Sequence, residues 1–375
     1  MKEGISYVGL DVHKAFIQVA LLLPERDEAL QWRVPNEPAK VSGLVRKLQR
    51  SCPGHVELCY EAGPCGYALS RRLNGVKRFR CQVIAPSLIP RKPGDRVKTD
   101  RRDARKLAAF LRSGLLTEVR PPSPEDEARR DLCRRRSSIQ TDLKAAKHRL
   151  SKFLLRNGRV FRGTKTNWTE KHFQWLRSQR FEDANAQFVF DDMLWAVDSL
   201  TQRLGLVDER IAEISTDEAL VEPVALLQCF KGVAVVTAVS VVVELYSFER
   251  FDSPRGLTAF IGLVPSEHSS SGKPNRGGIT KAGNGRLRRL LVEAAHNCVR
   301  SAHTGKHLAK RREGQPPWAV ALAEKAQLRA RKRYLRLTAR GKLHNVAVVA
   351  VAREMAGFLW AMLMEHHLRK QEAHA

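Results

Sequence analysis

The chain has 375 residues, with 66 Lys or Arg against 39 Asp or Glu and a formal charge of +27, so it exceeds one ordinary core and points to two or three domains. Basic residues run through every third of it, which excludes a neutral enzyme with a basic tail and argues for a polyanion partner whose affinity falls with salt. Seven cysteines, an odd number with no C-x-x-C pair, support neither a disulfide framework nor a zinc site, and point to a reducing cytosol.

MKEGISYVG lacks a long apolar core, so no signal peptide is expected, and the longest apolar run, Val233 to Val243, is too short to span a bilayer. A cytoplasmic protein without a membrane partner is the expectation. Residues 1–120 read as α/β. Apolar residues lead into Asp11, and Phe16 to Leu23 follows as a neighbouring strand after a tight turn. Leu30 to Val34 adds a strand, Ala39 to Gln49 has helical spacing, and Val56 to Tyr60 is a strand ending at Glu61. AGPCG is a turn, Tyr67 to Leu73 a helix and Gln82 to Ala85 a strand. A carboxylate at the end of a central strand is desolvated, and is usually paired with a cation or held on a metal. Open α/β sheets work at the carboxyl ends of their strands, where Asp11 and Glu61 fall.

After the Pro86 to Lys98 loop comes TDRRDARKLAAFLRSG. Thr99 is a good N-cap, Asp100 and Asp103 lie in the first turn on one face, and Gly114 ends the helix. Acids are favoured in a first turn by the helix dipole alone; with Asp11 and Glu61 at strand ends, a four-acid metal site becomes the better reading.

Pro121 to Pro124 is a linker, and residues 121–222 form a charged helical arm. Leu194, Val197, Leu200, Leu204, Val207, Ile211 and Ile214 space as a coiled-coil seam or as the inner face of an ordinary bundle helix, and the coiled-coil reading brings self-association with it. Gly158 to Arg180 is basic and carries Trp168, Phe173 and Trp175, suited either to nucleic acid or to packing.

Residues 223–375 read as a mainly helical domain. Its turn FKGVA between apolar helices resembles a helix-hairpin-helix unit, with Ala234 in place of the usual second glycine; helix packing alone also explains the apolarity. Then comes GLVPSEHSSSGKPNRGGITKAGNGRLRRLLVEAAHN, a flexible loop of hydroxyls among cations leading into a basic helix. A serine there can attack a phosphodiester clamped by guanidinium groups, or the stretch is a Ser/Gly linker. The rest is basic and helical: Gly305 to Pro317 reads as a loop, Val346 to Leu363 as an apolar helix packed on the domain, and RARKRYLRLTARGK as a phosphate-contacting face.

GLDVHK, YEAG, KTDRRDA and GLVPSEHSS…RGGITKAGN, in this order and at these separations, resemble the DEDD-type transposases of the insertion-sequence family one-ten, RNA-guided serine recombinases. The resemblance implies a RuvC-like, RNase H-type first domain with Asp11, Glu61, Asp100 and Asp103 around Mg²⁺, for which Mn²⁺ can substitute. It implies a C-terminal transposase domain whose nucleophile, by gapless matching, is Ser270, with Ser271 and Ser269 as alternates, joined to a DNA 5′ phosphate. Lys273, Arg276, Lys281, Arg286 and Arg289 are the expected nucleic-acid contacts. It further implies DNA ends and a bridge RNA as partners, and a homodimer or homotetramer built through the arm. A RuvC-like junction nuclease using water attack, and a nucleic-acid-binding protein without catalysis, are the alternatives.

Overall fold

The computed structural model describes residues 4–90, 99–267, 269, 275–301 and 303–374. It divides into two compact units, Met1–Pro122 and Ser123–Ala375. Ser270, Ser271 and Lys273 lie outside the described residues.

The first unit is a six-stranded sheet with helices on both faces. Its strands are β1 (Ser6–Val12), β2 (Phe16–Leu22), β3 (Leu30–Pro35), β4 (Val56–Glu61), β5 (Phe79–Ile84) and β6 (Glu118–Val119), in the order β3-β2-β1-β4-β5-β6. β1 to β3 form an antiparallel meander, β4 and β5 run parallel to β1, and β6 is antiparallel to β5. β1 and β2 are covered on both faces, which explains their nearly unbroken apolar runs.

Val8, Leu10, Ile17, Val19 and Leu58 pack with α1 (Pro38–Ser51) and α2 (Ala68–Asn74). The opposite face, with Ala20, Leu22, Cys59 and Ile84, is covered by α3 (Asp100–Arg112) through Ala104, Leu107, Ala108 and Leu111. α3 lies against the β1 backbone at Gly9, where a Cβ would come 2.0 Å from the Ala104 carbonyl oxygen and 2.5 Å from the Ala108 nitrogen. Thr99 caps α3 by accepting the Arg102 N–H at 3.3 Å.

In the second unit, α4 (Pro124–Arg156) and α6 (Ala184–Ile214) pack along one another, with α5 (Glu170–Ser178) beside them. The seam of α6 is covered within the chain: Val197 meets Leu143, Leu150 and Phe153 of α4, and Leu194, Leu200 and Leu204 pack against the same cluster. Trp168 is held at a φ of 69° by its N–H donating to His172 Nδ1 at 3.0 Å, and the His172 ring stacks on Trp175. These aromatic residues pack on one another, as the packing alternative has it.

The main core joins α7 (Glu218–Gln228), α8 (Val235–Leu245), α9 (Pro254–Phe260), α10 (Gly285–Arg300), α11 (Lys306–Arg312), α12 (Pro317–Ala339) and α13 (His344–His374), with a ribbon of β7 (Pro265–Glu267) and β8 (Arg276–Ile279) at its edge. α13 is long and apolar enough to cross a membrane by length and composition, and half of its apolar window is buried within the protein.

Several local expectations are corrected. α11 occupies the expected loop after Gly305, because Leu308 is buried and the Arg312 guanidinium, also buried, donates to Cys229 O at 3.0 Å and Gln327 Oε1 at 3.2 Å. β5 begins three residues before Gln82, at Phe79, whose side chain is buried beside β4. β6 and β7 are too short, and β8 too glycine-rich, to carry a strand pattern.

Gly9→Ala should destabilise the chain by about 1–3 kcal/mol or more, since backbone on both sides must move. Gly43→Ala, inside α1 where an added Cβ would meet nothing within 4 Å, should stabilise it by about 0.5–1 kcal/mol. Urea unfolding of both variants reads the difference; equal midpoints would refute the close packing of α3.

Candidate functional site

Leu10 and Tyr60 are the last residues paired between β1 and β4, so Asp11 and Glu61 leave adjacent parallel strands at the same end of the sheet. The chain then turns sharply: the His13 N–H donates to Phe16 O at 2.8 Å, and Asn36 Nδ2 donates to His13 O at 2.8 Å. Residues two apart in extended chain share a side. His13 thus returns to Asp11, with Nε2 3.1 Å from Oδ2, and stands 3.6 Å from Asp100 Oδ1.

The packing of α3 on Gly9 sets its first turn beside β1, which brings Asp100 to this point. Arg33 Nη2 lies 3.6 Å from Asp100 Oδ2, with its guanidinium 3.9 Å over the Phe16 ring. Among the described residues, Asp11, His13 and Asp100 form a set whose ligand atoms lie within 4.8 Å of one another. Of the four expected acids this brings together Asp11 and Asp100. Glu61, exposed at the β4 end, and Asp103, half-buried on the first turn of α3, lie outside that set. His13 was not among the expected site residues; its signal was its i+2 spacing from Asp11 across a turn.

The second constellation surrounds the serines. Ser269 Oγ donates to Glu267 Oε1 at 2.8 Å and accepts the Asn275 N–H at 3.1 Å, while Arg276 Nε donates to Glu267 Oε2 at 3.3 Å. The Ser269 hydroxyl, followed by the Arg276 charge, holds the Glu267 carboxyl below the usual range. Gly262 and Gly283 take positive φ where a Cβ would collide with Ala282 and Phe260 carbonyl oxygens, and Lys281, exposed at a φ of 56°, donates its N–H to Gly262 O at 3.1 Å.

Asn284 caps α10, its Oδ1 accepting the Arg286 and Leu287 N–H groups at 3.1 Å. Its amide in turn donates to Glu244 Oε2 at 2.9 Å, a buried carboxylate that Arg134 grips in two places at 2.8 and 3.0 Å. Burial alone would raise the Glu244 pKa, but the hydrogen bonds from Arg134 and Asn284 and the charges of Arg134 and Arg130 lower it. Arg286 and Arg289 remain exposed at the start of α10, with Arg289 3.9 Å from Glu293. Arg288 is used within the fold, donating to Ile261 O at 2.8 Å and Ala282 O at 3.1 Å.

Other basic stretches have internal partners. In the α7–α8 turn, Lys231 Nζ donates to Ser301 O and His303 O at 2.5 and 2.8 Å, and Gly232 sits against the Ala294 backbone. On α12, Arg329 and Arg333 lie 3.0 and 3.6 Å from Glu354, and Arg331 donates to Val299 O. Much of the expected phosphate-contacting face on this helix is therefore committed to the fold.

Comparison with known proteins finds family matches over two stretches of the chain. Residues 8–157 match a transposase family model of the DEDD type named for IS110, and residues 224–310 match the model described as Transposase IS116/IS110/IS902 family. The protein y4qE of Sinorhizobium fredii (strain NBRC 101917 / NGR234), named as a putative transposase, is 40% identical over 362 residues, covering 96% of this chain and 89% of its own. The transposase for insertion sequence element IS1533 of Leptospira borgpetersenii is 36% identical over 346 residues, 91% of this chain and 99% of its own. These matches define a transposase, a DNA-transposing enzyme. The chain belongs to the IS116/IS110/IS902 family.

Because the Glu244 pKa is lowered in the folded chain, its contribution to stability is present above the ordinary carboxylate value and is lost as pH falls through the folded value. Glu244→Gln should cost about 1–3 kcal/mol at neutral pH, and its denaturation curve should converge on that of the wild type in the acid range. A gap that stays constant down the acid limb would contradict the assignment.

Proposed function

We propose that the chain is the transposase of a mobile insertion element that cuts and rejoins DNA strands by means of an acid-metal centre and a nucleophilic serine. The observation that carries this reading is the meeting of Asp11, at the end of a central strand, with Asp100, on the first turn of the helix packed over that strand. An antiparallel meander followed by two parallel strands, in the order β3-β2-β1-β4-β5, supports a RuvC-like, RNase H-type first domain.

The donor set fits Mg²⁺, which takes one or two protein carboxylates and fills its remaining positions with water and phosphate oxygen. Asp11 and Asp100 would hold it, with Glu61 and Asp103 as further acids of the site. His13 and Arg33 orient the two carboxylates. The bound cation supplies charge neutralisation at the scissile phosphate.

Ser270 is the proposed nucleophile, with Ser271 and Ser269 as alternates. Its hydroxyl oxygen bonds to phosphorus, the bond to the departing 3′ oxygen breaks, that oxygen takes up a proton, and the 5′ phosphate remains on the serine. Reversal with a new 3′ hydroxyl restores the diester and frees the serine. Arg276, Lys281, Arg286 and Arg289, with Lys273, supply positive charge around that phosphate.

A net charge of +27 supports a second polyanion besides DNA, here a structured guide RNA from the element. Phe188 and Trp195, 75% and 69% exposed on α6, support association of copies through the arm as a dimer or tetramer, in the bacterial cytosol or nucleoid.

The test is trapping of a covalent protein–DNA adduct on nicked element ends with Mg²⁺ and the flanking RNA. The wild type should give the adduct, and Ser270→Ala and Asp11→Asn should not. An adduct that persists in Ser270→Ala moves the nucleophile to Ser269 or Ser271. Cleavage with no adduct in any variant would establish water attack instead.

A further inference from the structure

Beside the β7–β8 ribbon, α9, α12 and α13 enclose a groove of about 890 Å³. Its rim carries Arg255, Arg276, Arg329 and Arg353 against two carboxylates, Glu267 and Glu354, and Phe358 lies half-buried among its apolar lining. Arg276 and Arg329 have those carboxylates as partners, at 3.3 and 3.0 Å. Among the described residues, Arg255 and Arg353 make no side-chain hydrogen bond or ion pair.

Guanidinium groups without a carboxylate partner are free to bind anions, and their planar forks match phosphate oxygens. An aromatic side chain in the same groove suits an unstacked base, which any sequence can offer. The groove borders both strands of the ribbon through Pro265, Glu267 and Arg276, and Glu267 holds Ser269, so a strand whose phosphate reaches Ser269 has its neighbouring nucleotides at this groove.

We infer that this groove seats a single-stranded DNA segment flanking the scissile phosphate, with Arg255 and Arg353 on its phosphates and Phe358 against a base. The inference rests on the serine reading given above, and names where the substrate strand lies beyond it. No local pattern in the chain announces the groove, because Arg255 and Arg353 come from helices about a hundred residues apart.

The test is fluorescence anisotropy of the full-length chain with a labelled single strand from the element end, over a salt series. The Arg255→Ala/Arg353→Ala double variant should bind more weakly, with a salt slope smaller by about 1.4, since each neutralised phosphate on a single strand contributes about 0.7. Phe358→Leu, which keeps the charge, should weaken binding by about 5- to 150-fold with an unchanged slope. Lys152→Ala/Arg203→Ala, which removes the same charge from exposed positions on the arm, should keep the wild-type slope. Thermal melting by circular dichroism verifies that each variant is folded.

A wild-type slope in the groove variant, an equal drop in the arm variant, or unaltered binding by Phe358→Leu would overturn the inference. So would losses confined to an RNA strand of the same sequence. The adduct assay separates the two readings: an adduct without these binding losses defeats the groove alone, and binding losses without any adduct defeat the serine alone.

Discussion

The first unit depends on one close approach. A helix can lie on a strand at backbone distance only where the strand carries no Cβ and the helix presents small side chains. Gly9, Ala104 and Ala108 meet that condition on β1 and α3. Asp100 lies one turn before Ala104 on the same helical face, so the contact that seats the helix also sets the height of its first turn. Asp11 is two residues past Gly9 on the strand. The fold thus delivers two carboxylates to one place from positions about ninety residues apart, with no side chain of its own bridging that separation in sequence.

The second unit solves a related problem with a buried charge. The stretch from Pro265 to Asn284 is fixed near both ends. Its entry is the β7–β8 ribbon, where Glu267 binds both Ser269 and Arg276. Its exit is Asn284, whose side chain caps α10 with its oxygen and reaches Glu244 with its amide. Arg134 compensates Glu244, so that residue couples α4, α8 and the start of α10. Removing either member of such a pair leaves a desolvated charge, whereas the intact pair fixes one arrangement of the chain around it.

How much of this could be read from the chain varies with physical cause. β1, β2, β4 and α3 were legible because buried strands and amphipathic helices have their own periodicities, and because Thr99 is a good cap. Asp11 and Asp100 were legible as acids in expensive places. His13 was not, since a histidine two residues from an acid has no special standing until a tight turn folds it back. The short ribbon, α11 and the internal roles of Lys231, Arg288 and Arg331 arise from tertiary contacts that local sequence does not encode. The arm's seam was visible as a period, but a period does not say whether the covering helix belongs to the same chain; α4 supplies that cover here.

If the end of β1 is a metal centre, it must hold a divalent cation between Asp11 and Asp100. Anomalous scattering from crystals grown with Mn²⁺ tests this most directly. The predicted result is a peak bound by carboxylate oxygens of both Asp11 and Asp100, absent from Asp11→Asn crystals. A peak elsewhere, or Asp11 and Asp100 joined only to His13 and Arg33 at saturating Mn²⁺, would contradict it.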